Sequence, residues 1–403
     1  MKNLRDKLIK TPLGVNGVAL GTMGIATTGT FLLSYIKDNQ AINWFGLALQ
    51  ILCMSICIFY ISLTIIRYSL QPKVIWEELK LPHVAGMIGV LFLCFCLLGN
   101  SCGWIVSTFV TNNPSLKFKL LIAPSIVVFL AVTCQFIYLG FFLKIVLFKK
   151  ETFKGEAYAS WFVPLVGLAI SAAYADNLGD VLPLYYWQGI WFVGFIIFII
   201  MYPFVFYKFL FKPHSKEENI PSMAIFASPA NMLAVGFLVS FNPHRNAQYG
   251  LEQTILNDQL FFQVISIILF CFGAVSVALY YAILVKSLIL KKYSMTWTSL
   301  TFPAAVSATG TIKFDEYFFN NSTNEYTYLG VYYVLFIIGL FLFFTSLALV
   351  VFCNIKYARI MYHIWVIESE TLPSTSGITA VKQRKLFKKL PEHFHRNNKI
   401  NHH

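Results

Sequence analysis

Long runs of apolar residues recur along the whole chain, and they restrict its fold more than any other feature. A helix needs about 20 apolar residues to cross the hydrocarbon core of a membrane. Runs of this kind lie near residues 14–36, 41–69, 84–110, 118–146, 158–176, 184–211, 221–241, 255–290, 297–313 and 328–361. Only 12% of the 403 residues are charged, about half the share found in soluble domains. The sequence therefore predicts an all-α integral membrane protein with ten transmembrane helices.

The basic residues are distributed unevenly between the two sides of these predicted helices. Ten spans place 26 of the 31 Lys and Arg residues on the side that holds both chain ends. The five on the other side are Lys37, Lys117, Lys119, Arg245 and Lys313. Because cytoplasmic loops carry the excess of positive charge, we expect a multi-pass protein of the cell membrane with both termini in the cytoplasm. The same asymmetry explains the net charge of +13, so nucleic acid is not an expected partner.

The pattern divides the chain into three regions. These are a cytoplasmic N-terminal tail (1–13), a ten-helix transport domain (14–361) and a basic cytoplasmic C-terminal tail (362–403). The basic run Lys382–Lys389 in the second tail is a candidate contact with anionic membrane lipid. An ordinary positively charged cytoplasmic tail explains the run equally well.

The ten predicted helices alternate between two kinds. Small residues (Gly, Ala, Ser and Thr) make up 11 of 18 positions in 14–31 and 10 of 15 in 297–311, but only 2 of 23 in 189–211. Most of the small-residue helices also carry a proline in or near their first half: Pro12, Pro82, Pro164, Pro229 and Pro303. This alternation indicates one helical hairpin repeated five times, with five small-residue helices inside and five bulky helices outside. The inner helices would either line a path or pack tightly without one.

Glycines form a stripe along the first predicted helix. Gly14, Gly17, Gly21 and Gly24 are three or four residues apart, so they share one helix face. A stripe of this kind exposes backbone along a single line. It either lines a path or forms a packing groove for a neighbouring helix.

Sequence signals for catalysis or metal binding are weak. The eight cysteines lie almost entirely within apolar runs, where cysteine acts as a small apolar residue. No nucleophile-elbow, zinc-protease or phosphate-loop motif occurs, so we expect no enzyme, no catalytic or metal-binding residue and no cofactor. No Asp or Glu falls deep in a predicted helix, which argues against a carboxylate proton relay.

The hydrogen-bonding groups within such helices are uncharged, namely hydroxyls, amides and backbone N–H groups. Hydroxyls within helices often bond back to their own backbone. The candidate binding residues of this kind are Thr22, Thr298, Ser299, Thr301 and Asn231.

Two motifs resemble those of a known family. The pattern P-x-G-x-x-G-x-x-x-G-T-x-G that begins at Pro12 resembles the first helix of the family that contains the tellurite-resistance protein TehA, C4-dicarboxylate transporters and plant slow anion channels. The segment Thr301-Phe302-Pro303 resembles the ninth helix of that family, in which a phenylalanine before a kink plugs the pore. The segments 81–83 and 162–164 also match in position. The resemblance covers roughly residues 12–360.

The resemblance implies ten helices in five hairpins around a central pore, assembled as a homotrimer. It implies passage of small anions, such as chloride, nitrate or dicarboxylates such as malate. Phe302 carries over as the gate, and the four glycines carry over as lining of the first helix. Further candidate lining residues are Thr22, Pro164, Asn231, Thr301 and Pro303. Asn16 departs from the family, where an aromatic residue is often found, so the pore is expected to be wider or more polar at that level.

Three functions remain open at the level of sequence. The first is an anion channel with a phenylalanine gate, and the second, from family precedent, is a proton-coupled carrier of C4-dicarboxylates such as malate. The third is a membrane-embedded enzyme, for which polar residues such as His83 and Asn231 are the only motivation. His83 follows Pro82 at the cytoplasmic start of a predicted helix. A histidine there is explained more simply as a side chain that extends to the membrane interface.

Overall fold

The computed structural model describes residues 7–36, 40–149, 155–211, 217–243, 258–291, 293–320 and 329–367, and the structural statements below concern these residues. Residues 1–6 and 368–403, which include the basic run Lys382–Lys389, lie outside them, as do Lys37 and Arg245. The chain divides at Arg359. Residues up to that point form one unit, and residues 360–367 are the described part of the second.

The described residues form helices and no strands. In chain order the α-helices are α1 (Val15–Ile36), α2 (Gln40–Leu70), α3 (Pro72–Leu79), α4 (Pro82–Ile88), α5 (Val90–Phe109), α6 (Pro114–Phe142), α7 (Phe162–Val166), α8 (Ala169–Ala173), α9 (Leu184–Phe211), α10 (Ala227–Ser240), α11 (Gln259–Leu290), α12 (Thr301–Asp315) and α13 (Leu329–Tyr362). Short 3-10 helices precede α7, α10 and α12, at Ala159–Trp161, Glu217–Phe226 and Met295–Leu300. Another 3-10 helix, Ala175–Leu178, follows α8. Turns of π-helix follow α6, α12 and α13, at Leu143–Leu147, Glu316–Asn320 and His363–Ile367.

Seven helical stretches among the described residues are long and apolar enough to cross a membrane. They are Gln40–Leu70, Pro82–Phe109, Pro114–Leu147, Leu184–Phe211, Asn219–Ser240, Gln259–Leu290 and Gly330–Trp365. A chain with this many such helices is a membrane protein. Five of the stretches, which contain α2, α6, α9, α11 and α13, bury only 28 to 39% of their most apolar part. Pro82–Phe109 buries 72% of it, and Asn219–Ser240 buries all of it. The helices thus fall into an exposed and a buried kind.

The exposed helices present large apolar side chains to their surroundings. Ile200 on α9 and Phe341 on α13 are more than half exposed, and Phe129 on α6 is nearly so. In water such a surface would be a liability, whereas in lipid it is the expected exterior. We refer to α2, α6, α9, α11 and α13 as the outer helices.

The five small-residue segments, residues 15–36, 82–109, 159–173, 219–240 and 295–315, pack against one another in a closed ring. We refer to them as the ring segments. Helix α1 contacts α5, α5 contacts α8, α8 contacts α10, α10 contacts α12, and α12 contacts α1. Glycine permits this close approach, since a side chain on Gly21 would collide with the Thr301 hydroxyl and one on Gly86 with the Ser160 carbonyl. The outer helices pack outside the ring, with α2 on α1, α6 on α5, and α11 on α10 and α12. The apolar periodicity of the sequence alone does not show that these helices form a closed ring.

Four of the five ring segments break or change helix type along their length, whereas α1 is one continuous helix. Pro164 lies inside α7, and Gly167 lies between α7 and α8. Proline has no N–H group to give to the helix, so it leaves a backbone carbonyl without its usual partner. An unpaired carbonyl at membrane depth is costly unless protein or water satisfies it.

Side chains from the outer helices bond to carbonyls of these ring segments. Gln135 on α6 donates to the Val163 carbonyl at 3.0 Å, and Tyr138 on the same helix donates to the Ala85 carbonyl. Trp191 and Gln188 on α9 donate to the carbonyls of Leu233 at 2.8 Å and Ser240 at 3.0 Å. Polar residues within otherwise apolar outer helices therefore support the interrupted backbone of the ring.

A partly buried ion pair joins the end of α2 to the short helix α3. The Arg67 guanidinium binds both carboxylate oxygens of Glu78, and the Tyr68 hydroxyl donates to the same carboxylate at 2.9 Å. Arg67 also donates through Nε to the Ile9 carbonyl at 3.3 Å. This cluster ties the segment before α1 to the ends of α2 and α3.

Candidate functional site

A cavity of about 40 Å³ lies within the ring. Every ring segment contributes to its lining, for example through Gly17, Met87, Phe162, Pro229 and Phe302. A volume of this size holds on the order of three water molecules. All five small-residue segments therefore meet at this cavity.

The cavity lining is apolar with a few hydroxyl groups. The hydroxyl-bearing residues are Ser228, Thr298 and Ser299, and none of the described lining residues is ionisable. The Thr298 hydroxyl donates to the Met295 carbonyl at 3.1 Å, and Ser228 contacts the Met232 sulfur at 3.2 Å. Any ion in this space would meet hydroxyl dipoles rather than fixed charge.

Phe302 is a lining residue at the start of α12. Its side chain is only 5% exposed, and Pro303, which follows it, also lines the cavity. The ring lies against Gly24 of α1, where Cδ2 of Phe302 would be 3.1 Å from a Cβ atom on that glycine. The missing side chain at position 24 thus makes room for the aromatic ring.

The glycine stripe of α1 faces the last ring segment more than it faces the cavity. A Cβ atom on Gly17 would lie 2.6 Å from the Thr298 Oγ1 atom, and one on Gly21 would meet the Thr301 hydroxyl. Gly14 faces the Tyr357 hydroxyl on α13. Of the four glycines, only Gly17 is a lining residue. The four glycines therefore form a packing groove for neighbouring helices, and Gly17 alone of the four borders the cavity.

The remaining candidates lie beside the cavity and bond within the protein. Thr22 donates to the Val18 carbonyl at 2.8 Å, and Thr301 donates to the Thr298 carbonyl at 2.7 Å. Asn231 donates to the Ala227 carbonyl at 2.8 Å. Pro164 lies behind the lining next to Gly89. These four residues are absent from the described lining.

Asn16, the position that departs from the resembled family, also lies away from the cavity lining. It is fully buried. Its side-chain oxygen accepts a hydrogen bond from the Thr64 hydroxyl of α2 at 2.7 Å. In this position Asn16 joins the ring to an outer helix.

Several lining residues were not singled out from the sequence. Phe162 is a second aromatic residue in the cavity, together with the methionines Met87 and Met232. Phe162 stands two residues before Pro164, much as Phe302 stands directly before Pro303. An aromatic residue just before a proline in a small-residue segment was therefore the signal that could have identified it.

A cluster of hydroxyl groups fills the ring next to Phe302, about one turn beyond Gly24 on α1 and two turns beyond Phe302 on α12. Thr28 and Thr309 share a hydrogen bond of 2.8 Å, and Thr28 also donates to the Ala305 carbonyl at 3.0 Å. Thr27 lies 3.5 Å from the Tyr174 hydroxyl. All four residues are buried, so the ring is filled at this level.

The end of α12 carries a cation beyond this cluster. Lys313 Nζ lies 4.5 Å from the centre of the Phe31 ring and 2.9 Å from a carboxylate oxygen of Glu316. Phe31 in turn stacks on Tyr174. The ring interior thus passes from an apolar cavity through hydroxyl groups to a paired lysine.

The two residues that motivated an enzyme reading do not meet in the cavity. The His83 ring lies 5.8 Å from the ring of Tyr158, and Asn231 bonds within α10. Neither His83 nor Asn231 is among the described lining residues.

Comparison with known proteins identifies the family. A comparison with curated protein sequences gave no match. A sequence model of the SLAC1 family, described as voltage-dependent anion channel, matches residues 11–353. That range includes the whole ring and most of α13. The chain therefore belongs to the SLAC1 family of voltage-dependent anion channels.

Proposed function

We propose that the chain is a channel for small anions whose path runs through the ring and is closed by Phe302. In this proposal the segments 15–36, 159–173 and 295–315 cross the membrane together with the seven long apolar stretches. The ten segments then form five hairpins, each with one ring segment and one outer helix. Family membership supports anion transport.

One observation carries the proposal, namely the cavity to which every ring segment contributes. Four of the five ring segments have interrupted backbone around this shared space, which supports a path through the ring. The Phe302 ring lies at that space and against Gly24. A change of rotamer at Phe302 can widen the path at this level, and the hydrogen-bonded hydroxyl groups of Thr28 and Thr309 must separate for the path to continue.

The chemistry of the lining favours passage over tight binding. An anion would be stabilised by the hydroxyls of Ser228, Thr298 and Ser299, and the Ser299 hydroxyl makes no hydrogen bond within the described part of the chain. The absence of carboxylates from the described lining argues against proton coupling, since a coupled carrier needs a group that titrates. We therefore favour the channel over the proton-coupled malate carrier.

Orientation and assembly are parts of the same proposal. Basic residues lie at the ends of outer helices that the charge asymmetry assigns to the cytoplasm, such as Arg67, Lys208 and Arg359. Both termini are then cytoplasmic, where the basic rim would attract anions. The exposed apolar faces of the outer helices are available to lipid and to further copies of the chain, and the family resemblance implies a homotrimer.

The experiment is a measurement of ion selectivity in planar bilayers that contain the purified protein. With a salt gradient across the bilayer, the reversal potential should lie near the equilibrium potential of the anion. Substitution of chloride by nitrate or malate then ranks the permeant ions. A reversal potential near the equilibrium potential of potassium would overturn the proposal. Saturable malate uptake that requires a pH gradient, without ionic current, would establish the carrier instead.

A further inference from the structure

The two backbone carbonyls that precede Phe302 are both held by side chains of outer helices. Tyr280 on α11 donates through its hydroxyl to the Leu300 carbonyl at 2.8 Å. Ser346 on α13 donates to the Thr301 carbonyl, also at 2.8 Å. Tyr280 is 1% exposed and Ser346 is fully buried. Water therefore does not compete for either bond. Neither Tyr280 nor Ser346 is among the described residues that line the cavity.

These bonds lie next to a gap in the hydrogen bonding of the backbone itself. The 3-10 helix Met295–Leu300 ends directly before α12 begins at Thr301. Pro303 lacks an N–H group, so the Ser299 carbonyl, four residues earlier, loses its helical partner. The two peptide groups that precede the Cα atom of Phe302 are those that Tyr280 and Ser346 hold. Their orientation determines where the Phe302 side chain points.

We propose that Tyr280 and Ser346 are positioning residues that keep the Phe302 plug closed from outside the ring. This inference rests on the proposed function, because it gives Phe302 the role of plug. The two hydroxyls come from different outer helices and act on consecutive peptide groups, so they fix the backbone from two sides. Loss of either one leaves a buried carbonyl with one donor fewer and removes a restraint on movement of the plug.

The chain provides a control pair at the adjacent positions. Tyr281, next to Tyr280 on α11, donates to the side chain of Thr345 on α13 at 3.2 Å. Thr345, next to Ser346, donates to the Phe341 carbonyl of its own helix. This pair also joins α11 to α13, but it makes no described hydrogen bond to the segment 295–302. A general loosening of the two outer helices would affect both pairs, whereas release of the plug requires Tyr280 or Ser346.

The test is single-channel recording in planar bilayers of Tyr280→Phe, Ser346→Ala, Tyr281→Phe and Thr345→Ala. We expect the first two substitutions each to raise the open probability by about two- to tenfold, the range that one lost hydrogen bond corresponds to. Open-channel conductance and anion selectivity should stay unchanged, because neither side chain lines the path. The two control substitutions should leave the open probability as it is. Each test substitution removes a hydroxyl alone, and either one suffices if the other reduces expression.

The same substitutions in a Phe302→Ala background separate this inference from the proposed function. With the plug removed, Tyr280→Phe and Ser346→Ala should raise the open probability no further. An equal rise in both backgrounds, or no rise in the wild-type background, overturns the positioning role while the gate stands. If Phe302→Ala itself conducts no better than wild type, the gate is wrong, and the positioning role with it.

Discussion

The ring of Phe302 occupies the space that a side chain at Gly24 would need. Cδ2 of Phe302 would lie 3.1 Å from a Cβ atom on Gly24, and the Ala305 Cβ atom would lie 3.0 Å from it. The aromatic ring of Phe302 on α12 therefore packs directly against the backbone of Gly24 on α1. Both residues come from motifs that the sequence singles out, although the sequence does not show that they touch.

Gly24→Ala should weaken this contact. The new methyl group is too close to both neighbours by a few tenths of an ångström, and overpacking of this kind costs about 1–3 kcal/mol. Because Phe302 faces the cavity and Ala305 is held within α12, we expect the aromatic ring to yield and the anion conductance to rise. Gly189→Ala serves as a control, since nothing lies within 4 Å of a Cβ atom there. A fall in conductance for Gly24→Ala in correctly folded protein would contradict the contact as described.

Asn231 should prove to be a packing residue that is matched to Gly273 of α11. A Cβ atom on Gly273 would lie 2.6 Å from the Asn231 Oδ1 atom. Gly273→Ala should therefore lower the melting temperature in detergent, and the double variant with Asn231→Ala should lose less than the sum of the two single losses. Additive losses would show that the two positions do not touch. Altered anion selectivity in Asn231→Ala would instead favour the lining role considered from the sequence.

Glu78 should matter far more for stability than its neighbour Glu77. Glu78 forms the partly buried ion pair with Arg67, whereas Glu77 is exposed. Removing one partner of this partly buried pair strands the other charge, at a cost between the about 1 kcal/mol of an exposed pair and the about 3–5 kcal/mol of a fully buried one. Glu78→Ala should therefore lower the melting temperature strongly, and Glu77→Ala should change it little. Equal effects at the two positions would show that the pair contributes nothing.

The charge of Lys313 should act on anion current in a salt-dependent way. Lys313→Gln removes a cation from the end of α12, and Glu316→Gln removes the carboxylate that pairs with it. At about 10 mM salt the first substitution should reduce chloride current by up to about twofold and the second should raise it. Both effects should shrink near 1 M salt, where the Debye length is about 3 Å. Effects that do not change with salt would indicate a structural role instead.

The outer helices follow closely from local sequence, and the ring segments do so only in part. The predicted run 184–211 has the same bounds as α9, and 328–361 differs from α13 by one residue at each end. The predicted run 158–176, by contrast, consists of short helical pieces. Length and hydropathy determine a lipid-facing helix. The conformation of a ring segment depends also on donors such as Gln135, which come from other parts of the chain.

The site shows the same division. Phe302 and Pro303 line the cavity, and the aromatic–proline pair that singled them out is a local feature of the sequence. Helical spacing showed that the glycines of α1 share a face, but it could not show that this face meets Thr298 and Thr301. The roles of Tyr280 and Ser346 were not visible at all, since a single polar residue in an apolar run does not reveal the carbonyl to which it bonds.

The anion conductance of Phe302→Ala, compared with Phe344→Ala, tests the central claim most directly. Phe302 lies at the cavity, whereas Phe344 is more than half exposed on the outer face of α13. The same side chain is removed in both variants, so general effects of the truncation cancel. We predict that Phe302→Ala raises the chloride current per channel well above wild type and that Phe344→Ala leaves it unchanged. Equal currents in wild type and both variants would show that Phe302 does not close the path.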